Sequence, residues 1–206
     1  MISEQNFESI QGLTLINNFI TDELSNNIIK ELDNKQWDNT TLCRRTQHYN
    51  YRYPYNNSYK LIHVNSDEGK NQKYLYDLND TIYLKNINEL LKEKINFDFD
   101  QCIVNEYNKD NVISKHIDNV KMFDDIIISI SLIEPTLMRF INVKNKDIKK
   151  DIILPPNSLL IMKNDARYKY KHEIPKRKTF KYLNKLYRKN NDYRRVSLTF
   201  RKVKIN

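Results

Sequence analysis

The residues best suited to chemistry lie in segment 102–118, which begins as an apolar strand and ends with His116 and Asp118. One residue separates this histidine from this aspartate, and side chains two positions apart point the same way in a strand. An imidazole and a carboxylate on one side are two of the three ligands of a facial triad for non-haem Fe(II). Because His-x-Asp alone arises by chance in many chains, a second histidine must complete the site.

His172 is the only one of the four histidines that follows His116. It lies 54 residues beyond Asp118, with three predicted strands in between, and a β-sandwich can bring a later strand back beside an earlier one. Two imidazoles and one carboxylate leave about three of six octahedral positions open for a co-substrate and O2. His48 and His63 lack a ligand partner at suitable spacing, and His48 is predicted to be a polar loop residue.

The co-substrate expected for such an iron is 2-oxoglutarate, which chelates metal through its keto acid and leaves a distal carboxylate. A guanidinium binds that carboxylate through two hydrogen bonds and stays charged. Arg195 and Arg201 are six residues apart in the last predicted strand and therefore share a face. One of them is expected on the distal carboxylate and the other nearer the iron, while Asn105 and Tyr107 supply hydrogen bonds.

A second notable segment, 40–60, combines tyrosines with arginines. The tyrosines Tyr49, Tyr51, Tyr53 and Tyr55 alternate, which predicts one face of a strand or ribbon, with Arg44, Arg45 and Arg52 close by. Aromatic faces beside arginines are suited to stacking on bases and contacting phosphates. The alternative is a tyrosine-rich hairpin that packs its rings onto the core.

Positive charge is concentrated at the C-terminal end. Residues 163–206 carry 16 Lys or Arg against 3 Asp or Glu, whereas the first 162 residues carry 19 against 23, within a net charge of +9. A concentrated basic region indicates a polyanionic partner such as nucleic acid, with a solvated face as the alternative. No membrane association and no obligate protein partner are inferred.

Composition favours one folded domain, 1–206, with 39 % hydrophobic and 30 % charged residues. Two cysteines make no disulfide framework, and no signal peptide or transmembrane segment is apparent, so an intracellular location, cytoplasmic or nuclear, is predicted. Only two glycines are present, so Asn or Asp is expected where other proteins place glycine at positive φ.

The elements that position these residues are two amphipathic helices followed by short strands. Apolar spacing predicts helices over 22–35 and 80–95. Apolar runs predict strands over 126–132, 137–143, 158–162 and 195–203. This order predicts an α+β fold, with a double-stranded β-helix (jelly roll) at 101–206 and buttressing helices within an N-terminal extension, 1–100, that also contains the recognition segment.

In this order and spacing, six motifs resemble the AlkB family of Fe(II)/2-oxoglutarate dioxygenases, most closely its tRNA-modifying branch. They are Asn105-x-Tyr107, His116-x-Asp118, the strand 127–132, the strand 158–162, Arg167-Tyr-x-Tyr-x-His172 and Arg195-x-Ser-Leu-Thr-Phe-Arg201. The segment 44–49 also resembles the family's nucleotide-recognition region. Two departures stand out: an Asn-Lys-Asp-Asn turn at 108–111 where the family has Pro-Gly, and Glu173 in place of a glycine.

The resemblance implies that His116, Asp118 and His172 bind iron, and that Asn105, Tyr107, Arg195 and Arg201 bind 2-oxoglutarate, with Arg195 on the distal carboxylate. It also implies oxidative demethylation or hydroxylation of modified bases in DNA or RNA. Candidate substrate contacts are Arg44, Arg45, Gln47, Tyr49 and Tyr51, and the basic segment 176–192 is expected to form a loop over the substrate mouth. The alternatives are a protein-directed demethylase or hydroxylase and an inactive nucleic-acid-binding jelly roll.

Overall fold

The computed structural model describes residues 2–40, 42–55 and 60–204. In chain order the strands are β1 (Ser3–Asn6), β2 (Leu13–Asn17), β3 (Arg45–Tyr49), β4 (Tyr51–Arg52), β5 (Ile62–His63), β6 (Leu75–Tyr76), β7 (Gln101–Tyr107), β8 (Ile113–His116), β9 (Ile127–Leu132), β10 (Thr136–Asn142), β11 (Lys149–Leu154), β12 (Ser158–Met162), β13 (Tyr170–Ile174), β14 (Thr179–Tyr182), β15 (Lys185–Arg188) and β16 (Arg195–Arg201). The helices are α1 (Asp22–Asp33), α2 (Ile82–Ile95) and α3 (Asn164–Tyr168), and a 3-10 turn covers Gly69–Asn71.

These strands form two main sheets. Within the described residues the larger sheet has the order β1-β2-β12-β9-β16-β7-β3-β6, and the smaller has the order β11-β10-β13-β8. Neighbours run antiparallel in both sheets except β3 and β6, which are parallel. Four strands of the larger sheet come from the first 100 residues, so this part of the chain is built into the sheet that carries the predicted site. The double-stranded β-helix prediction is confirmed.

The two predicted buttressing helices are present, with slightly shorter bounds. Thr21 caps α1 through its hydroxyl oxygen, which accepts a hydrogen bond of 3.2 Å from the backbone N–H of Leu24. The apolar faces of α1 and α2 are fully buried against the larger sheet, with Leu32 and Leu91 in the same core as Leu198. The helices therefore hold the back of the sheet rigidly, and the opposite face is left for the site.

The central strands of the larger sheet, β7, β9 and β16, place apolar and polar side chains on opposite faces. The helix face carries Cys102, Val104, Ile128, Ile130, Leu132, Val196, Leu198 and Phe200. The cavity face carries Ile103, Asn105, Tyr107, Ser129, Arg195, Ser197, Thr199 and Arg201. Cross-strand register aligns the two sets, since Arg195 lies opposite Tyr107 and Ser197 opposite Asn105. The alternation of side chains thus separates the core from the site within single strands.

Asparagine takes the place of glycine at tight turns, as expected from composition. Of the nine non-glycine residues described with positive φ, six are asparagines. Asn96 ends α2 in the left-handed conformation, and Asn50 separates β3 from β4 at a φ of 61°. The short polar side chain makes this conformation less costly for asparagine than for most residues.

Two local expectations are corrected. The segment 176–192 is not an irregular loop, because β14 and β15 pair antiparallel in a hairpin. The four tyrosines do not share one face, because the turn at Asn50 reverses the alternation after Tyr49. The positions 41 and 56–59 of the predicted recognition segment lie outside the described residues. Among the residues described, no helix has the length and apolar character needed to cross a bilayer.

Candidate active site

The two histidines and the aspartate of the predicted triad meet at the smaller sheet. His116 on β8 lies directly opposite His172 on β13, which pairs antiparallel with it, and their ring centroids are 4.3 Å apart. Asp118 follows β8 by two residues, and its Oδ2 lies 3.6 Å from Nε2 of His172. One ligand atom from each of the three residues lies within 4.8 Å of the others. This donor set, two imidazoles and one carboxylate, fits a facial site for Fe(II).

The local contacts hold all three groups in the forms that bind metal. Nδ1 of His116 lies 2.7 Å from the carbonyl oxygen of Ser114, which can only accept, so Nδ1 donates this hydrogen bond and Nε2 is the nitrogen left for a metal. Burial lowers the pKa of His172 to about 3, and nearby His116 and Arg201 add to this effect. His172 is therefore neutral at pH 7, and its contact with Asp118 is not an ion pair.

Asp118 is kept ionised by Arg201. Burial alone would raise the pKa of this carboxyl, but the Arg201 guanidinium holds it well below its usual range. Nε and Nη2 of Arg201 lie 2.7 and 2.6 Å from Oδ1 of Asp118. Oδ2 remains on the side of His172. Arg201 was expected to contact 2-oxoglutarate, and the structure places its guanidinium on the candidate iron ligand while it also lines the cavity.

A cavity of 360 Å³ extends from the triad between the two sheets, and Arg195 lines it. Arg195 is only 1 % exposed. Within the described residues its side chain makes one hydrogen bond, from Nη2 to Oγ of Ser131 at 2.8 Å. Nε and Nη1 are buried with no partner among the described residues. Because an unpaired buried guanidinium is costly, these two donors fit a carboxylate of a bound ligand. The residues present therefore fit the distal end of 2-oxoglutarate.

The other predicted co-substrate contacts lie on the same wall. The ring of Tyr107 is 5.1 Å from Cζ of Arg195, and Asn105, two residues before Tyr107 on β7, also lines the cavity. Oδ1 of Asn105 accepts a hydrogen bond of 2.8 Å from Nε of Arg44. Arg44 also lines the cavity, so it connects the predicted recognition segment to the predicted co-substrate wall.

The structure separates the predicted substrate contacts into two groups. Gln47 and Tyr49 are fully buried on the helix face, because β3 pairs with β7 in a register that aligns them with Val104 and Cys102. The Tyr49 hydroxyl donates to Oε1 of Gln47, whose amide nitrogen donates to carbonyl oxygens at the end of α1 and just beyond it. These two side chains support the fold and do not reach the cavity.

Of the remaining predicted contacts, only Arg44 is among the described residues that line the cavity. Arg44 lines it directly, whereas Arg45 is paired with Glu106 and stacks 5.1 Å from the ring of Trp37. Tyr51 packs against His63, with ring centroids 4.7 Å apart. Two tyrosines not among the predicted contacts, Tyr53 and Tyr55, line the cavity.

His48 is a functional candidate that sequence reasoning missed. It is a fully buried strand residue on the cavity side of β3, not the polar loop residue that was expected. Its Nδ1 accepts from the backbone N–H of Tyr53 at 3.3 Å, and its Nε2 lies 3.4 Å from the Tyr55 hydroxyl. Burial, then Arg52, lowers its pKa to about 3. A neutral imidazole thus positions both cavity tyrosines. The signal available in the sequence was strand alternation, because His48 lies between Gln47 and Tyr49 and must point to the opposite face of a strand.

Arg167 is a second missed residue, because its motif was noticed but its role was not. Its buried guanidinium donates to four backbone carbonyl oxygens, including that of Asp118 at 2.8 Å and that of Phe123 at 3.2 Å. The loop after β8 is therefore fixed from behind.

The two departures from the family pattern are accommodated locally. Glu173 points away from the cavity toward Arg139, 3.9 Å from its Nη1. In the turn 108–111, Oδ1 of Asn108 accepts from the backbone N–H groups of Asp110 and Asn111 at 2.9 and 3.2 Å. This Asx turn needs no residue at positive φ.

With the site described, comparison with known proteins is informative. Residues 12–201 match the 2OG-Fe(II) oxygenase superfamily. The chain belongs to this superfamily. Its members use Fe(II), 2-oxoglutarate and O2, and the His116, Asp118 and His172 group fits an iron site. The chain is therefore a dioxygenase-type oxidoreductase.

Over most of its length this chain is similar to proteins that include an ALKBH8 homolog. Uncharacterized protein L905 of Acanthamoeba polyphaga mimivirus is 35 % identical, with 95 % of this chain and 87 % of that one covered. An alkylated DNA repair protein ALKBH8 homolog of Arabidopsis thaliana is 31 % identical over 95 % of this chain and 59 % of that protein. A DNA N6-methyl adenine demethylase of Caenorhabditis elegans is 29 % identical over 80 % of this chain and 55 % of that protein.

The fold comparison agrees with the topology. The solved structure of OsALKBH1 superposes with a TM-score of 0.68 at 16 % identity, and 97 % of this chain and all of that chain are covered. A Pseudomonas putida prolyl-4-hydroxylase gives a TM-score of 0.52 at 14 % identity, covering 93 % and 92 %. At such identities the likeness concerns the fold alone.

Proposed function

We propose that this oxygenase oxidises an alkyl or related carbon on a modified base in nucleic acid, by demethylation or hydroxylation. The observation that carries the proposal is the cavity wall, where Arg44, Tyr53 and Tyr55 lie in the same cavity as the triad. Tyrosine rings stack on any base, and a guanidinium contacts phosphate or a base edge. The relatives named for DNA repair and for DNA N6-methyl adenine demethylation support this substrate class.

The proposed division of labour follows from the contacts. His116, Asp118 and His172 hold Fe(II), which with 2-oxoglutarate and O2 supplies the oxidising chemistry. Arg195 binds the distal carboxylate through its two unpaired donors, and Asn105 and Tyr107 line the same wall. Arg201 keeps Asp118 charged and oriented. Because these groups are fixed by strands, the site needs little reorganisation on binding.

The proposed set of substrate contacts differs from the predicted set at two residues. Arg44, Arg45 and Tyr51 stay proposed contacts, while Gln47 and Tyr49 are replaced by Tyr53 and Tyr55 on the basis of cavity lining. The Arg44 side chain touches Asn105, so the base and the co-substrate share one wall. A relative named as a tRNA (carboxymethyluridine(34)-5-O)-methyltransferase, from Xenopus tropicalis, supports the tRNA-modifying branch, but this chain covers only 26 % of its length.

We further propose that residues 1–206 act as one catalytic domain, since strands from both halves form the larger sheet. An intracellular location stays a prediction that rests on two free cysteines, Cys43 exposed and Cys102 buried.

The test is oligonucleotide-dependent turnover. Protein, Fe(II), 2-oxoglutarate and O2 are incubated with a panel of methylated DNA and RNA oligonucleotides, and both succinate and base products are measured by mass spectrometry. We expect succinate in proportion to a modified base lost. Turnover stimulated only by a methylated peptide would transfer the activity to a protein substrate, which is the main alternative. Arg44→Gln and Tyr53→Ala should reduce the oligonucleotide-dependent part and spare the basal part.

A further inference from the structure

The hairpin of β14 and β15 is the most positively charged part of the chain that the proposed chemistry does not use. Residues 176–191 contain seven Lys or Arg and no Asp or Glu. Arg177 is paired with Asp151 and Lys178 with Asp110. Lys176 also interacts with Asp110, whereas Lys181, Lys185 and Arg188 form no ion pair in the described part of the chain. The hairpin therefore presents uncompensated positive charge.

The two faces of the hairpin differ sharply. One face is aromatic and anchored: Phe180 is buried, its ring lies 5.1 Å from that of Tyr187, and the Tyr187 hydroxyl donates to Glu134. The opposite face carries Lys181 beside its cross-strand partner Leu186, followed by Arg188. Lys185 is exposed next to the turn and is paired with Tyr182 on the aromatic face. The anchored face fixes the hairpin on the body, so the basic face is held in the solvent.

The tip carries apolar side chains that the fold does not use. Leu183 and Asn184 form a two-residue turn with φ values of 49° and 60°. A bulky residue at positive φ destabilises the turn, whereas asparagine or glycine adopts this conformation at lower cost. Leu183 is 76 % exposed and Leu186 is 69 % exposed. Folding gains little from either side chain, and a ligand that covers them would account for both.

The base of the hairpin is connected to the cavity by a continuous surface. Lys178 lies 2.7 Å from Asp110, and Lys109 donates to Asn191, so the hairpin is tied to the turn 108–111. A groove of 480 Å³ then begins at this turn. Its lining residues include Asn108, Asn111, Tyr193, Arg194, Arg45, Arg44 and Tyr107. Arg44 and Tyr107 line the cavity as well.

We propose that the hairpin is an arm for single-stranded nucleic acid, which binds the strand that continues from the base held in the cavity. Lys181, Lys185 and Arg188 contact its phosphates, while Leu183 and Leu186 pack against its bases. This inference rests on the proposed function. Cationic side chains with adjacent apolar ones also suit an anionic membrane surface, but the groove leads to the cavity, which favours nucleic acid.

The experiment measures the affinity for a short fluorescent single-stranded oligonucleotide at several salt concentrations. One variant combines Lys181→Gln, Lys185→Gln and Arg188→Gln. Its matched control combines Lys144→Gln, Lys146→Gln and Lys149→Gln, which are also exposed but lie outside the hairpin, in the turn between β10 and β11 and at the start of β11. The hairpin variant should lose about 2 from the slope of log affinity against log salt, from three phosphate contacts. The control should keep the slope of the original protein.

A separate variant tests the apolar tip. Leu183→Asn should weaken oligonucleotide binding by about tenfold with the salt slope unchanged, because it removes an apolar contact and no charge. Its melting temperature should stay equal or rise, since asparagine tolerates the turn. A drop in melting temperature with no loss of affinity would assign Leu183 to folding and remove it from the arm.

The outcomes separate the arm from the function. Basal 2-oxoglutarate turnover should be the same in all variants. If the original protein binds the oligonucleotide and the hairpin variant keeps the same slope of log affinity against log salt, the hairpin does not bind the strand. The proposed nucleic-acid function then still stands. If the original protein neither binds nor oxidises any oligonucleotide, the proposed function is wrong and the arm with it. Binding to phosphatidylserine vesicles is measured for the same proteins. If the hairpin variant loses vesicle binding but keeps oligonucleotide binding, the hairpin is a membrane contact and the proposal is overturned.

Discussion

The two faces of the larger sheet show how one set of strands serves two purposes. On the helix face, residues such as Val104, Ile130 and Leu198 are apolar and fully buried. On the cavity face, their immediate neighbours Asn105, Ser131 and Ser197 are polar and equally buried. Both sets of side chains are largely buried, yet only the apolar set gains free energy from burial.

The difference shows that burial is not by itself a sign of a structural role. Arg195 and Leu198 are both at most 1 % exposed and belong to one strand, but Arg195 keeps two donors unpaired whereas Leu198 fills a packed core. The cavity face costs stability in the free protein, and a ligand is expected to recover that cost. Substitutions on the two faces should therefore have opposite signatures, which the following predictions examine.

The largest effect is expected at the candidate iron ligands. His116→Ala should reduce succinate formation by at least about a thousandfold and weaken Fe(II) binding, because one of three protein ligands is removed. The free energy of unfolding should change little, since His116 is only partly buried at the end of an edge strand. Equilibrium dialysis of Fe(II) and a chemical melt check both parts. Full turnover in this variant would remove His116 from the metal site.

On the helix face, Leu198→Ala should lower the free energy of unfolding by about 2–5 kcal/mol, because it leaves a cavity in a fully packed core. The affinity for 2-oxoglutarate in the folded protein should stay the same. The neighbouring Ser197→Ala serves as the control and should change the free energy of unfolding by less than about 1 kcal/mol. A chemical melt that ranks the two substitutions in reverse would contradict the assignment of faces.

On the cavity face, Arg195→Met should weaken 2-oxoglutarate binding by about a hundredfold, since two charge-assisted hydrogen bonds are lost. The free protein should unfold at equal or higher temperature, because a buried charge with unpaired donors is replaced by an apolar chain. Arg194→Met is the matched control: this adjacent arginine is paired with Asp33 and Glu106 outside the cavity. Calorimetric titration of 2-oxoglutarate should leave the control within about twofold of the original.

The smallest effect concerns pH and the neutral histidines of the cavity side. His48 and His172 have pKa values lowered to about 3 by burial, against about 6.5 in an unfolded chain. Below pH 6.5 the unfolded state binds protons that the folded state does not, so stability is complete above pH 6.5 and is lost as pH falls toward 3. Each histidine contributes at most about 1.4 kcal/mol per pH unit.

His48→Gln tests this directly in the metal-free protein. Between pH 6 and pH 4, about the range set by these pKa values, the free energy of unfolding should fall less steeply in the variant than in the original, because one of the two histidines no longer contributes. Chemical melts at several pH values provide the measurement. Identical slopes would mean that His48 is accessible to protons in the folded state.

Sequence reasoning found what is local or carried by a motif. Helical spacing gave α1 and α2, the apolar run gave β9, and residue type with chain order gave His172 as the partner of His116. It missed what depends on register between distant strands. Alternation along β3 was continued through Asn50 into the following tyrosines, but the positive φ of Asn50 ends it. Only the pairing of β3 with β7 shows that Tyr49 faces the helices while His48 faces the cavity.

The hairpin of β14 and β15 illustrates the same limit. Its charge was visible in the sequence, but its turn residues, Leu183 and Asn184, carry little turn signal because a leucine is rare at positive φ. The contact between Arg201 and Asp118 was equally hidden, since 83 residues separate the two along the chain. The turn of the hairpin and the contact between Arg201 and Asp118 both depend on tertiary packing, which a local sequence pattern does not predict.

The central claim is that one cavity brings the triad and Arg195 to the same co-substrate. Anaerobic calorimetric titration of 2-oxoglutarate with and without Fe(II) tests this claim most directly. The predicted result is one equivalent bound tightly only with Fe(II), lost in His172→Ala and weakened in Arg195→Met while that variant still binds Fe(II). Equal 2-oxoglutarate binding with and without Fe(II), unaffected by Arg195→Met, would contradict the account.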